Sequence, residues 1–253
     1  MASFISACCN RAPAKAEYTP IGTMTQDASG MAYYISGSAK AKRGVVFLYD
    51  VFGLHPNAYQ VADALALEGL RVVIPDVLEG KPLTSADMKQ EAVLKDFKAR
   101  RGTYAYCRPM IKAAIDVLRA EGCENIGAIG LCWGAKLAMC ALGDQDGICV
   151  DSGVMLHPSM LELADFERAQ GPILLLLSKD EADFTDMFAV ASAKPFGAHS
   201  YMERFSKQAH GFCGARGDFA NPEVVCDVNR ALALTIAFFK TGSVTQLENP
   251  TAV

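Results

Sequence analysis

The chain has 253 residues, about half of them apolar, and a formal net charge of −4. That supplies one large core, and no basic block exists to favour nucleic acid or an anionic membrane surface. No apolar stretch approaches the ~20 residues that span a bilayer.

Residues 1–30 read as an irregular N-terminal segment, broken by Pro13, Pro20, Gly22 and Gly30. A single domain is expected from 31 to 242, and a flexible tail from 243 to 253. Within the domain, "MAYYIS" and "GVVFLYD" read as strands, and "NAYQVADALALEG" as a helix closed by Gly69. "LRVVIPD" is the next strand. "RPMIKAAIDVLRAEG" is a helix with Pro109 near its start. "NIGAIG" is a short buried strand, followed by a helix at "AKLAMCAL". "SGVMLHP", "PILLLLS" and "HSYMERF" complete the strands, and "NPEVVCDVNRALALTIAFFK" is a long closing helix.

Apolar strands separated by helices predict βαβ units and an α/β fold: a mostly parallel sheet with helices on both faces. Ligands of such sheets bind beyond the carboxyl ends of the strands. Four chemical candidates stand at those ends: Asp50, Cys132, Asp180 and His210.

Nine cysteines, an odd number without CxxC spacing, point to reduced thiols rather than disulfides or zinc ligands. Neither a metal nor a cofactor is expected. A cytoplasmic setting fits best. The N-terminal "MASFISACCNRAPAK", acid-free until Glu17, keeps organellar import as the alternative.

In "GLCWGAK", Gly130 and Gly134 flank Cys132 at both second neighbours. A nucleophile on a tight strand-to-helix turn needs such small neighbours. The turn sets an amide at a helix N-terminus for an oxyanion, and the helix end favours thiolate. A thiol nucleophile needs a base, and only four histidines exist. His210, in "KQAHGFCGARGD", follows the last strand, and the order Cys132, acid, His210 is that of α/β-hydrolase sites. His157, in "MLHPS", lines the site or packs there; His199 is structural, and His55 sits in the loop beside Asp50. The acid orienting the imidazole is sought in "SKDEADFTD". Asp180 fits the strand-to-acid spacing best, Asp183 next and Glu181 third, while Asp186 is assigned to capping the following helix.

"YDVFGLHPN", "VVIPD", "GLCWGAK", "LHPS" and "HGF…R", in this order, resemble the dienelactone hydrolase (carboxymethylenebutenolidase) family of α/β-hydrolase fold, over about residues 18–240. The early "CC…Y.P.G" around Cys8, Cys9 and Gly22 is similar to eukaryotic members. The resemblance implies a Cys–His–Asp triad on Cys132, His210 and an acid in the 180–183 loop. It also implies that Asp50 contacts the resting thiol, and that the Val51 and Trp133 amides form the oxyanion hole. Phe52 and the Trp133 side chain would line the substrate site. Family substrates carry a carboxylate held by arginines; here Arg216 follows the histidine by six residues, with Arg100, Arg101 and Arg108 as mid-chain candidates. The reading is a cofactor-free hydrolase of a small ester or lactone acting through a thiol ester. A redox-active thiol protein, with Cys213 approaching Cys132, and a non-catalytic binding protein are the alternatives; the terminal "TAV" could serve as a PDZ ligand.

Overall fold

The computed structural model describes residues 12–27 and 30–244. Cys8, Cys9 and the terminal "TAV" lie outside the described residues, as does most of the transit-like stretch.

Eight strands form one sheet in the order β1-β2-β4-β3-β5-β6-β7-β8. They are β1 (Thr23–Gln26), β2 (Ala32–Ser36), β3 (Arg43–Leu48), β4 (Arg71–Pro75), β5 (Asn125–Leu131), β6 (Ser152–Leu156), β7 (Ile173–Ser178) and β8 (Tyr201–Phe205). β1 and β2 are antiparallel to their neighbours, and every other pairing is parallel. The helices are α1 (Pro56–Leu67), α2 (Glu91–Ala99), α3 (Tyr104–Ala120), α4 (Trp133–Leu142), α5 (Leu163–Arg168), α6 (Thr185–Ser192) and α7 (Pro222–Thr241). α1 packs with α7, and α3 packs with α4; α1 and α3 both rest on β4, so the sheet is covered on both faces.

The burial pattern explains the strand types. β5 and β7 are apolar and almost wholly buried, as strands covered on both sides must be. β1, "TMTQ", is mostly exposed, and its polar residues suit a sheet edge. This strand lies where the sequence suggested irregular chain. Its four residues offer too little alternation to be read without the partner strand β2.

Other features also differ from the sequence reading. α3 starts at Tyr104, capped by the Thr103 hydroxyl, so Pro109 lies inside the helix rather than at its start. Neither α2 nor α5 is among the helices read from the sequence. In α6 the Thr185 amide donates to Asp183 at 2.9 Å, so Asp183 holds the helix start and Asp186 sits in its first turn.

Register aligns the ends of the parallel strands. Leu48 pairs with Gly130, Leu131 with Leu156, Leu156 with Leu176, and Ser178 with Phe205. The residues just past those pairs (Asp50, Cys132, His157 and the loop after Ser178) therefore emerge side by side.

The N-terminal edge is fastened by one carboxylate. Asp63 of α1, fully buried, accepts from Tyr34 Oη at 2.6 Å, Tyr18 Oη at 2.9 Å and the Ile21 amide at 3.0 Å. Burial, then the Asp63 bond, pushes the Tyr18 phenol up to about 12 and the Tyr34 phenol higher still. Both phenols stay protonated donors at neutral pH. Hydrogen bonds to a charged acceptor contribute about 1.5–3 kcal/mol each, and stranding their donors costs more. Asp63→Ala is therefore expected to lower unfolding free energy by about 3 kcal/mol or more, as read by urea denaturation. A loss below about 1 kcal/mol would show that the three donors find water instead.

Candidate active site

Cys132 links β5 to α4 with φ 55° and ψ −116°, a left-handed backbone that side chains rarely adopt. The two flanking glycines make the turn possible. A Cβ on Gly130 would lie 2.1 Å from the Gly134 carbonyl oxygen, and one on Gly134 would lie 2.1 Å from that of Leu48. The turn is pinned further where the Cys132 amide donates to Leu156 O at 3.1 Å and its carbonyl accepts from the Ser159 amide at 3.1 Å. Its thiol is nearly buried and lies 3.5 Å from Ser159 Oγ. Cys132 is the residue just before α4, a helix whose first-turn amides have no partner within the helix.

His210 and Glu181 are both buried, and His210 Nδ1 is 2.6 Å from Glu181 Oε1. Glu181 is itself held by Ser178: the hydroxyl donates to Oε1 at 2.9 Å and the amide to Oε2. Burial alone would lower the pKa of the His210 imidazole, but the Cys132 thiol and Glu181 outweigh it and push the value up. Nε2 has no partner of ordinary hydrogen-bond geometry among the described residues. Loose contacts of this kind tighten in many enzymes once substrate is bound.

The carboxylate against the ring is thus Glu181, not Asp180 or Asp183. Asp180, exposed, instead accepts from the His210 backbone amide at 2.8 Å, fixing the loop rather than the ring. Asp183, also exposed, is occupied by Thr185. The extra methylene of glutamate lets the chain turn back to the Ser178 amide while reaching the imidazole.

Asp50 is buried, and its hydrogen bonds go to backbone: Oδ1 accepts from Phe52 N and Oδ2 from Ala215 N, both at 2.9 Å. Burial pushes its carboxyl above the usual range, against the pull of those amides and of the positive charge of Arg216. It clamps the 50–53 turn to the loop after His210. Asn57 strengthens that clamp, donating to Gly214 O at 2.9 Å and Gly217 O at 2.8 Å. Residue 14 joins it as well, with Ala14 N donating to Ala215 O.

His157 has φ 36°, is fully buried, and neither ring nitrogen has a hydrogen bond among the described residues. Its ring meets that of His210 edge-to-face at 5.1 Å. Burial and the nearby His210 charge lower its pKa well below the usual value, so it stays neutral beside His210.

A cavity of about 410 Å³ opens beside Cys132, with Val51, Trp133 and Ser159 at the same end. Trp133 is anchored by its Nε1–H to Gly102 O at 2.8 Å and packs edge-to-face on Phe97 of α2 at 5.2 Å. α2 is the wall that sequence reasoning missed; "AVLKDF" carries apolar residues at helical spacing but no cap. The arginines expected to reach substrate do not line this cavity, and neither does Phe52. Arg216 is buried, with its guanidinium 4.9 Å above the Phe52 ring. Arg100 pairs with Asp96, Arg101 reaches Lys81 O, and Arg108 pairs with Asp144.

The described residues contain no cluster able to hold a metal ion and no helix long and apolar enough to cross a membrane. The family model "Dienelactone hydrolase family" matches residues 31–243. The chain belongs to the dienelactone hydrolase family. An uncharacterized AIM2 family protein of Schizosaccharomyces pombe is 31% identical over 235 residues, covering 87% of this chain and 92% of that one. A dienlactone hydrolase of Gibberella moniliformis is 25% identical, covering 78% and 80%. Among solved structures, a dienelactone hydrolase-like promiscuous phosphotriesterase from metagenomic libraries superposes with a TM-score of 0.64 at 17% identity, covering 87% and 97%. The mostly parallel, doubly covered sheet is accordingly an α/β-hydrolase fold, and the chain is a hydrolase by family.

Glu181→Gln preserves shape and removes the charge that helps hold His210 protonated. The His210 imidazole is therefore expected to titrate at lower pH in this variant, followed by ¹⁵N NMR. Any hydrolase activity is expected to fall by ~100-fold or more. Asp180→Asn still accepts the backbone amide and is expected to change both little. An unshifted His210 titration in Glu181→Gln would contradict the assignment.

Proposed function

We propose that this protein is a cofactor-free hydrolase of small esters or lactones that uses Cys132 as nucleophile. The observation that carries this reading is a left-handed, nearly buried thiol at a helix N-terminus, opening on a cavity and electrostatically coupled to a buried His210–Glu181 pair.

Cys132 as thiolate attacks the ester carbonyl carbon, forming an S–C bond while the carbonyl π pair moves onto oxygen. The amides of Val51 and Trp133 receive that oxyanion. As the tetrahedral species collapses, the alkoxide leaves with the proton from His210, and the acyl group remains on sulfur. His210, now neutral, takes a proton from water; the resulting hydroxide attacks the thiol ester and expels Cys132 as thiolate. The acid product departs and the imidazolium is restored. Glu181 keeps the imidazole oriented throughout and balances its positive charge whenever it is protonated.

No specific observation favours the redox alternative. Cys213 is wholly buried, and burial pushes its thiol well above the usual range, which leaves it a poor partner for exchange.

Alkylation tests the nucleophile. Iodoacetamide near neutral pH is expected to modify Cys132 faster than the buried thiols Cys107, Cys123 and Cys213, measured by peptide mass spectrometry. Cys132→Ala should abolish ester turnover while retaining the wild-type circular dichroism spectrum. A folded Cys132→Ala protein with wild-type activity would overturn the reading.

A further inference from the structure

Resting on the reading of Cys132 as nucleophile, we propose that the cavity takes the neutral, apolar acyl group of its substrate and discriminates against an acyl group ending in a carboxylate. The walls are apolar on both sides. Met88, Leu94 and Phe97 come from the segment before α3, Met160 and Phe184 from the loops after β6 and β7, and Met187 from α6. Methionines at three of these positions suit a surface that adapts to flexible chains.

Charge complementarity for an anion is poor in this space. Among the described residues no arginine lines it, and the arginine nearest the histidine loop is buried over Phe52. Of the two lysines in the wall, Lys136 is held by Asp165 at 2.6 Å and by Glu162 at 3.3 Å. Lys98, half-buried on α2, is the other. Glu162 also contributes to the lining, so the positive charge of Lys136 is offset within the wall itself. A carboxylate moved into such a site loses its hydration without a bidentate partner, whereas each methylene placed there gains.

The test compares p-nitrophenyl acetate, butyrate and hexanoate with mono-p-nitrophenyl adipate, which matches hexanoate in chain length and ends in a carboxylate. We expect kcat/KM to rise from acetate to hexanoate, by up to ~4-fold per methylene, and adipate to fall at least 10-fold below hexanoate. Adipate equal to or better than hexanoate overturns the proposal, and loss of that advantage in Lys98→Met would then identify the cation responsible.

Occupancy is read separately by protection of Cys132 from iodoacetamide, with methyl hexanoate and monomethyl adipate as ligands. Stronger protection by methyl hexanoate supports the proposal even where turnover of the nitrophenyl esters is slow; equal or reversed protection overturns it. Undiminished hydrolysis of these esters by Cys132→Ala would strike at the nucleophile instead, and the order of the protection series would remain the measure of the cavity.

Discussion

The site depends on how closely α4 approaches β3. Gly134 lies so near the carbonyls of Leu48 and Tyr49 that a single methyl group would collide with backbone on both. Backbone cannot yield as a side-chain tip does, and a core packed to crystal-like density has no slack to offer. The approach forces the chain through a left-handed residue, and that residue is Cys132. Its amide and carbonyl are tied to β6 and the loop beyond it, so the strain is held from several sides. A thiol fixed in this way has little conformational freedom left to lose on meeting a substrate.

Around that turn, buried polar groups set the electrostatics. Glu181 and Asp50 are both carboxylates under the surface, yet they do different work because their donors differ. Glu181 faces an imidazole and shares its charge with it. Asp50 faces two backbone amides and serves as a bracket between the β3 turn and the loop that carries His210. Neutral His157 fills the remaining side of the His210 ring without competing for its proton. The result is a histidine whose neighbours favour its protonated form and whose loop is anchored at Asp50, Asn57 and Asp180.

Much of this was legible in the sequence because the signals were local. Alternating apolar strands and helices predicted the sheet, and the two glycines around Cys132 marked the turn. The position of His210 after the last strand marked the histidine that the structure sets against Glu181. What depended on side-chain path was not legible. Asp180, Glu181 and Asp183 lie within four residues, and only the Ser178 amide and hydroxyl decide which one turns back towards the ring. Arg216 offered the right charge in the right loop, but burial over Phe52 settles its direction, and burial cannot be read from one loop. α2, which walls the cavity, lacks a capping residue and was lost among charged neighbours.

The central claim is that a covalent acyl group forms on Cys132. Its most direct test is a rapid acid quench of protein with excess p-nitrophenyl hexanoate, followed by digestion and mass spectrometry. The account predicts a hexanoyl group on the peptide carrying Cys132, absent from the Cys132→Ala protein. A hexanoyl group on Ser159, whose hydroxyl lies 3.5 Å from the thiol sulfur, with Cys132 unmodified during turnover, would contradict it.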